Sequence, residues 1–133
     1  PYTMIGSDGD AIAPYGRLNF GRQHPRFYGT FPRILQRYVR EKKVLTLSEA
    51  IQKMTGQIAD KIGLYRRGYL KDHFFADIVV FSPESITEKS MYTAPDQYPG
   101  GIRYVIVNGV IVLKDPRHTD HFPGRVLRRG HTA

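Results

Sequence analysis

Tyr2-Thr3-Met4-Ile5-Gly6-Ser7-Asp8-Gly9-Asp10 is followed, across a Gly- and Pro-rich loop, by His24-Pro25-Arg26-Phe27-Tyr28-Gly29-Thr30-Phe31-Pro32-Arg33. Tyr2 to Ile5 reads as a short strand, aromatic and β-branched, that stops at Gly6-Ser7-Asp8-Gly9. An aspartate where a strand gives way to a loop lies at a carboxyl end, where α/β sheets bind their ligands. Asp-Gly-Asp is equally ordinary turn chemistry, since Asp hydrogen-bonds its own backbone and Gly accepts positive φ. A calcium loop counted from Asp8 fails at its closing position, which is Asn19 and not Glu. Asp8 and Arg26 are therefore the candidate pair: a carboxylate and a guanidinium on one rim suit chemistry on a small anionic molecule.

Outward from that stretch, Asp10 to Gly29 reads as loop, with Pro14, Gly16, Gly21, Pro25 and Gly29 and no period. A loop of that length in a compact domain points to function. Thr30 to Lys43 reads as helix, with Thr30 as cap and Pro32 in the first turn. Phe31, Ile34, Leu35, Tyr38 and Val39 share its apolar face, and Arg33, Arg37 and Arg40 lie opposite as a solvated stripe. Thr46-Leu47-Ser48-Glu49 is a capping box that opens a second helix, with Leu47, Ala50, Ile51 and Met54 on its packing face. Gly56 interrupts it, and Gln57 to Ile62 forms a further short helix ended by Gly63. From Tyr65-Arg66-Arg67-Gly68 onward the pattern turns to β. Ala76 to Phe81 is a near-continuous apolar strand, and Ser85 to Gly101 is loop. Ile102–Val107 and Val110–Leu113 flank Asn108-Gly109, the favoured type I′ hairpin turn. Lys114 to Ala133 reads as an extended basic tail.

The chain has 133 residues, no cysteine and a net charge of +8. Lack of cysteine excludes disulfides and thiolate chemistry within it. The charge is local: Arg17 to Lys43 holds eight basic residues against Glu41 alone. Concentrated positive charge suits nucleic acid, an anionic substrate or a solvated face. One strand and one hairpin make no independent sheet, so the chain reads as a C-terminal piece of a longer protein. No apolar run reaches the length of a membrane span, so no membrane partner is expected. A cytoplasmic location is expected, with secretion left open because a signal peptide would lie upstream.

The five histidines, His24, His73, His118, His121 and His131, form no metal-ligand motif. His118 and His121 read as a surface pair without a third ligand. Neither a nucleophile elbow nor a phosphate-binding loop occurs. Basic residues interleaved with Tyr and Phe keep a basic nucleic-acid-binding module open as the alternative function, although the aromatics fall mainly on helix-packing and loop positions. An inactive truncated remnant is the other alternative.

Taken together, Met4–Gly9, His24–Leu35, Arg37-Tyr38-Val39-Arg40-Glu41 and Leu47–Thr55 resemble the C-terminal part of the N-acyl-D-amino-acid deacylases (D-aminoacylases), metal-dependent amidohydrolases. The likeness continues through Ala76–Phe81, Gln97-Tyr98-Pro99, Val105–Val110, His118-Thr119 and Pro123–Arg128. The His-Pro-Arg-x-Tyr-Gly-Thr-Phe-Pro-Arg run is its most specific part. The resemblance implies an α/β fold: the last strand and helices of a (β/α)8 TIM-like barrel over residues 1–66, and the C-terminal part of a small β-sandwich over 67–133. It implies a hydrolase acting on N-acyl-D-amino acids, with zinc held by ligands upstream, no metal ligand in this chain, and the rest of the parent chain needed to close the barrel. It implies Asp8 as general base and acid, because an amide is a poor electrophile with a poor leaving group. It implies Arg26 as the substrate's carboxylate anchor. His24 is expected to shape the loop without a catalytic step. The substrate is then a small molecule, and no nucleic acid is expected as partner. The chain alone is expected to be inactive. Two departures lie in turns: Asp72-His73 where the family often has Pro-Gly, and Pro116-Arg117 where a Gly is common before His-Thr.

Overall fold

Helix begins earlier than Thr30. A computed structural model describes residues 2–115 and 117–129, which leaves Pro116 and His131 outside. Helix α1 runs Arg26–Arg33 and passes directly into a π-helical segment, Ile34–Glu41. The expected Thr30 cap is corrected: Thr30 Oγ1 donates to the carbonyl of Arg26 one turn back, 2.9 Å away. His24 takes the cap's task, since its Nδ1 accepts from the Arg26 N–H at 3.0 Å. Pro32 accordingly sits in the helix interior, where it removes a donor that a first-turn proline would not. The hydrogen bonds widen after it, and the Lys42 N–H reaches back five residues to the Arg37 carbonyl at 2.9 Å. A 100° wheel does not carry across that junction. Leu35 is buried as expected, but Phe31 is exposed.

The second helix, α2 (Leu47–Met54), starts at the expected capping box. Thr46 Oγ1 accepts from the Glu49 N–H at 3.2 Å, and the Glu49 carboxylate accepts from the Thr46 N–H at 2.8 Å. Helix α3 is Gly56–Ile62, ended by Gly63 at φ 73°.

A four-stranded antiparallel sheet follows, β1 (Ile78–Phe81), β2 (Ile102–Val107), β3 (Val110–Lys114) and β4 (Arg117–His118), in that spatial order. Asn108 and Gly109 turn the β2–β3 hairpin at φ 49° and 81°, the pair of positive angles that a type I′ turn needs. The β1 segment is shorter than Ala76–Phe81. It lies at the sheet edge with one pairing partner, and Val79 and Val80 are exposed. The tail is not wholly unpaired, because β4 adds Leu113↔His118 and Lys114↔Arg117. His73, standing where the resemblance expects glycine, takes φ 65° and keeps the left-handed turn.

Tyr2–Ile5 is not part of a sheet, which corrects the strand reading. A strand needs a ladder partner. Here the Ile5 N–H donates to the Lys53 carbonyl at 3.2 Å, and the Lys53 ammonium donates to the Thr3 carbonyl at 2.8 Å. The opening segment is thus tied to the end of α2.

The core joins helices to sheet. Leu35, Ala50 and Ile86 are buried together, packed by Ile51, Met54, Phe81 and Ile102 among others. The arginine stripe takes part in that junction. Arg33 pairs with Glu88 at 3.2 Å, and Arg40 donates to the carbonyls of Pro83 and Ile86 at 3.0 and 2.7 Å. Arg37 alone of the three fits the solvated reading.

Candidate active site

Asp8 and Arg26 meet. Arg26 Nη1 lies 3.0 Å from Asp8 Oδ2, with the aspartate side chain 87% exposed and the arginine 42%. The local sequence explains the approach. Asp8 turns the chain at φ 50°, a conformation that Asp tolerates. Gly9 then passes against Phe27 so closely that a Cβ there would stand 2.8 Å from its ring. Any larger residue would push the Asp8 turn away from the first turn of α1. Among the described residues, Arg26 supplies the one ion pair that Asp8 makes.

A cavity of about 490 Å³ opens on the other side of Arg26, lined among others by His24, Arg33, Glu88, Ser90 and Tyr92. Its floor is fixed by close packing. Gly29 lets the 88–90 segment approach α1, since a Cβ would stand 2.8 Å from Glu88 Oε1 and 3.3 Å from the Ser90 Cβ. Gln36 Oε1 accepts from the Glu88 N–H at 2.8 Å, and Ser90 donates to the Gln97 carbonyl at 3.0 Å. Below the long loop, the Tyr28 and Tyr98 rings meet edge to face at 6.2 Å. Burial, with Tyr15 beside it, pushes the Tyr98 phenol up to about 12; burial and then Asp96 raise that of Tyr28. Both stay neutral at physiological pH.

Glu88, Ser90 and Tyr92 are lining residues that sequence reasoning missed, and Tyr92 is the one that reaches His24. It comes from a polar loop with no periodicity, and its contact with His24 spans sixty-eight positions. His24 itself does more than shape the loop, because it caps α1. A histidine two residues before the first helical N–H was the available signal.

Among the described residues no three His, Asp or Glu side chains lie together to hold a metal ion. Asp8 and Glu88 offer carboxylates around Arg26 but each is paired to an arginine, and they do not make the four-ligand shell that zinc needs. His118 and His121 turn to separate neighbours: His118 Nδ1 accepts from the Asp120 N–H at 3.0 Å, and His121 contacts Thr119 Oγ1 at 3.1 Å. No helix among the described residues is long and apolar enough to cross a membrane.

The chain belongs to the amidohydrolase family, whose profile matches residues 5–113. Within it the chain is similar to D-amino-acid deacylases. It is 42% identical to the D-aminoacylase of Alcaligenes xylosoxydans xylosoxydans over 96% of its own length and 25% of that protein's. It is 41% identical to the same organism's N-acyl-D-aspartate deacylase, over 98% of this chain and 25% of the relative. Its fold superposes with TM-score 0.80 and 40% identity on an N-acyl-D-glutamate deacylase from Bordetella bronchiseptica, solved with zinc and a phosphonate mimic of the tetrahedral intermediate. That match covers 94% of this chain and 25% of the other. The chain thus spans about a quarter of the length of the curated relatives it matches.

Proposed function

We propose that the protein carrying this chain hydrolyses N-acyl-D-amino acids to a carboxylate and a free D-amino acid. In this reading, residues 1–66 complete a (β/α)8 barrel as its last strand, loop and helices, and 67–133 belong to a small β-sandwich. Tyr2–Ile5 lacks a sheet partner here because its neighbours would be barrel strands from elsewhere in the protein. The observation that carries the proposal is the Asp8–Arg26 pair, set at 3.0 Å by two separate segments in a chain that matches D-amino-acid deacylases.

The two residues divide the work. Arg26 receives the substrate's α-carboxylate through its guanidinium fork, a geometry that lysine does not reproduce. Asp8 Oδ2 meets one arm of that fork, at Arg26 Nη1. Arrival of the carboxylate displaces Asp8 and leaves its oxygens free to take a proton from the attacking water and pass it to the departing nitrogen. Zinc, bound by ligands outside this chain, would lower the pKa of water and polarise the carbonyl. In the basic stretch, Arg33 and Arg40 are engaged with Glu88 and with backbone carbonyls, which favours a packing role for them over a nucleic-acid face.

The test is turnover by the intact, zinc-loaded protein. Hydrolysis of N-acyl-D-amino acids is expected, with their L-enantiomers left intact, and a chelator should abolish it. Asp8→Asn should cost about a thousandfold in kcat or more with metal content unchanged, since the displaced proton then has no acceptor. A loss below about tenfold, roughly 1.4 kcal/mol, removes Asp8 from the proton transfer.

A further inference from the structure

We propose that His24 is a positioning residue for Arg26, set in one tautomer by the Arg26 N–H and held in place by Tyr92; this rests on the reading of Arg26 as the carboxylate anchor. Helix α1 has no side-chain cap from Pro25. Its first free donor, the N–H of Arg26 itself, is met by His24 Nδ1 at 3.0 Å. A backbone N–H can only donate, so Nδ1 carries no proton and the neutral ring bears its hydrogen on Nε2. That Nε2 lies 3.3 Å from the Tyr92 hydroxyl, with the two rings edge to face at 5.2 Å. The imidazole therefore donates to Tyr92 and accepts from Arg26, and both nitrogens are committed.

Tyr92 is itself fixed. Met91 and Ala94 exchange both backbone hydrogen bonds at 3.0 Å, which leaves Tyr92 and Thr93 as the tip of a two-residue turn. The segment leading to that tip is residues 88–90, seated on α1 by Gly29, Gln36 and Arg33. A continuous run of contacts thus joins the loop preceding β2 to the backbone of Arg26. The ring sets where α1 starts, and so the direction in which Arg26 leaves the helix toward Asp8. A cap alone would need no histidine, because Asn serves better at that position. Histidine adds the reach to Tyr92.

Two variants of the intact protein separate a cap from a positioning residue. His24→Asn keeps a cap acceptor and loses Tyr92, while Tyr92→Phe keeps the ring and loses the hydroxyl. Each should raise KM for an N-acyl-D-amino acid about threefold to tenfold and leave kcat within about twofold, without lowering the melting temperature. Unchanged KM in both variants, or a loss confined to melting temperature, overturns the positioning role. The 15N resonances of His24 read the tautomer without any turnover. The hydrogen is expected on Nε2, and finding it on Nδ1 in an active protein overturns the His24 arrangement alone. Absence of turnover in the wild type overturns the substrate reading and the positioning role with it.

Discussion

Arg26–Asp8 and Arg67–Asp77 are arginine–aspartate pairs with opposite circumstances. Arg67 and Asp77 lock the hairpin to the chain that precedes β1. Arg67 is buried, pairs with Asp77, donates to Asn108 Oδ1 at 2.7 Å and lies 4.2 Å over the Phe75 ring. The other oxygen of Asp77 accepts from the Asn108 N–H at 2.8 Å. That carboxylate has a partner for each oxygen, all from its own fold. Asp8 has a single arginine and is open to water. The chemistry of the two pairs is the same, and what differs is how much bonding capacity remains. A saturated pair stabilises, whereas an unsaturated pair on a rim is available to a ligand.

The largest effect should come from the saturated pair. Arg67→Ala removes the buried guanidinium from one oxygen of Asp77 and from the half-buried Asn108 Oδ1. It should lower unfolding free energy by about 3 kcal/mol, measured by denaturant titration, with KM unchanged in the surviving fold. A loss under about 0.5 kcal/mol would mean the network is ordinary surface polarity and would break the contrast. Arg26→Ala should behave the other way. Exposed pairs contribute about 0–1 kcal/mol, so the denaturation midpoint should barely move. KM for carboxylate-bearing substrates should rise about tenfold to a hundredfold with most of kcat retained, as steady-state kinetics would record. Comparable destabilisation by both variants would show that the two pairs do one job.

Sequence patterns carried the local parts of this contrast and missed the long-range ones. The Asn108-Gly109 turn and the Thr46–Glu49 box are legible because their donors, acceptors and positive φ angles lie within four residues. The start of α1 was misread because Thr30 is a better generic cap than His24, and only the fold brings Tyr92 to the imidazole. The widening after Pro32 hid the exposed position of Phe31 from a wheel that assumes one period. The Arg33–Arg40 stripe was taken as solvated because its partners, Glu88 and the 83–86 carbonyls, lie more than forty residues away. At the site, Asp8 and Arg26 stood out as a carboxylate and a guanidinium, and only the resemblance gave them roles. Their residue types alone describe a turn and a basic loop, and Gly9 packing on Phe27 is what joins them.

Burial and saturation are confounded in the two pairs, and Glu49 separates them. It is exposed like Asp8 yet hydrogen-bonded within its own fold like Asp77, its Oε2 accepting from both the Thr46 hydroxyl at 2.7 Å and the Thr46 N–H at 2.8 Å. The Thr46 hydroxyl first, and the Thr46 backbone next, hold its carboxyl below the usual glutamate range. A depressed folded-state pKa means stability that is fully present above the unfolded value and is lost as pH falls through the folded one. Acidification across the lower carboxylate range should therefore loosen α2. Thr46→Ala should lower stability by about 1 kcal/mol at neutral pH and flatten that part of the pH profile. Thermal melts of wild type and variant between the two pKa values measure both. Hydrogen bonding within the fold, not burial, is then what makes a carboxylate structural in this chain. If the profile keeps its slope in Thr46→Ala, saturation by Thr46 is not the cause, and the distinction drawn for Asp8 must rest on exposure alone.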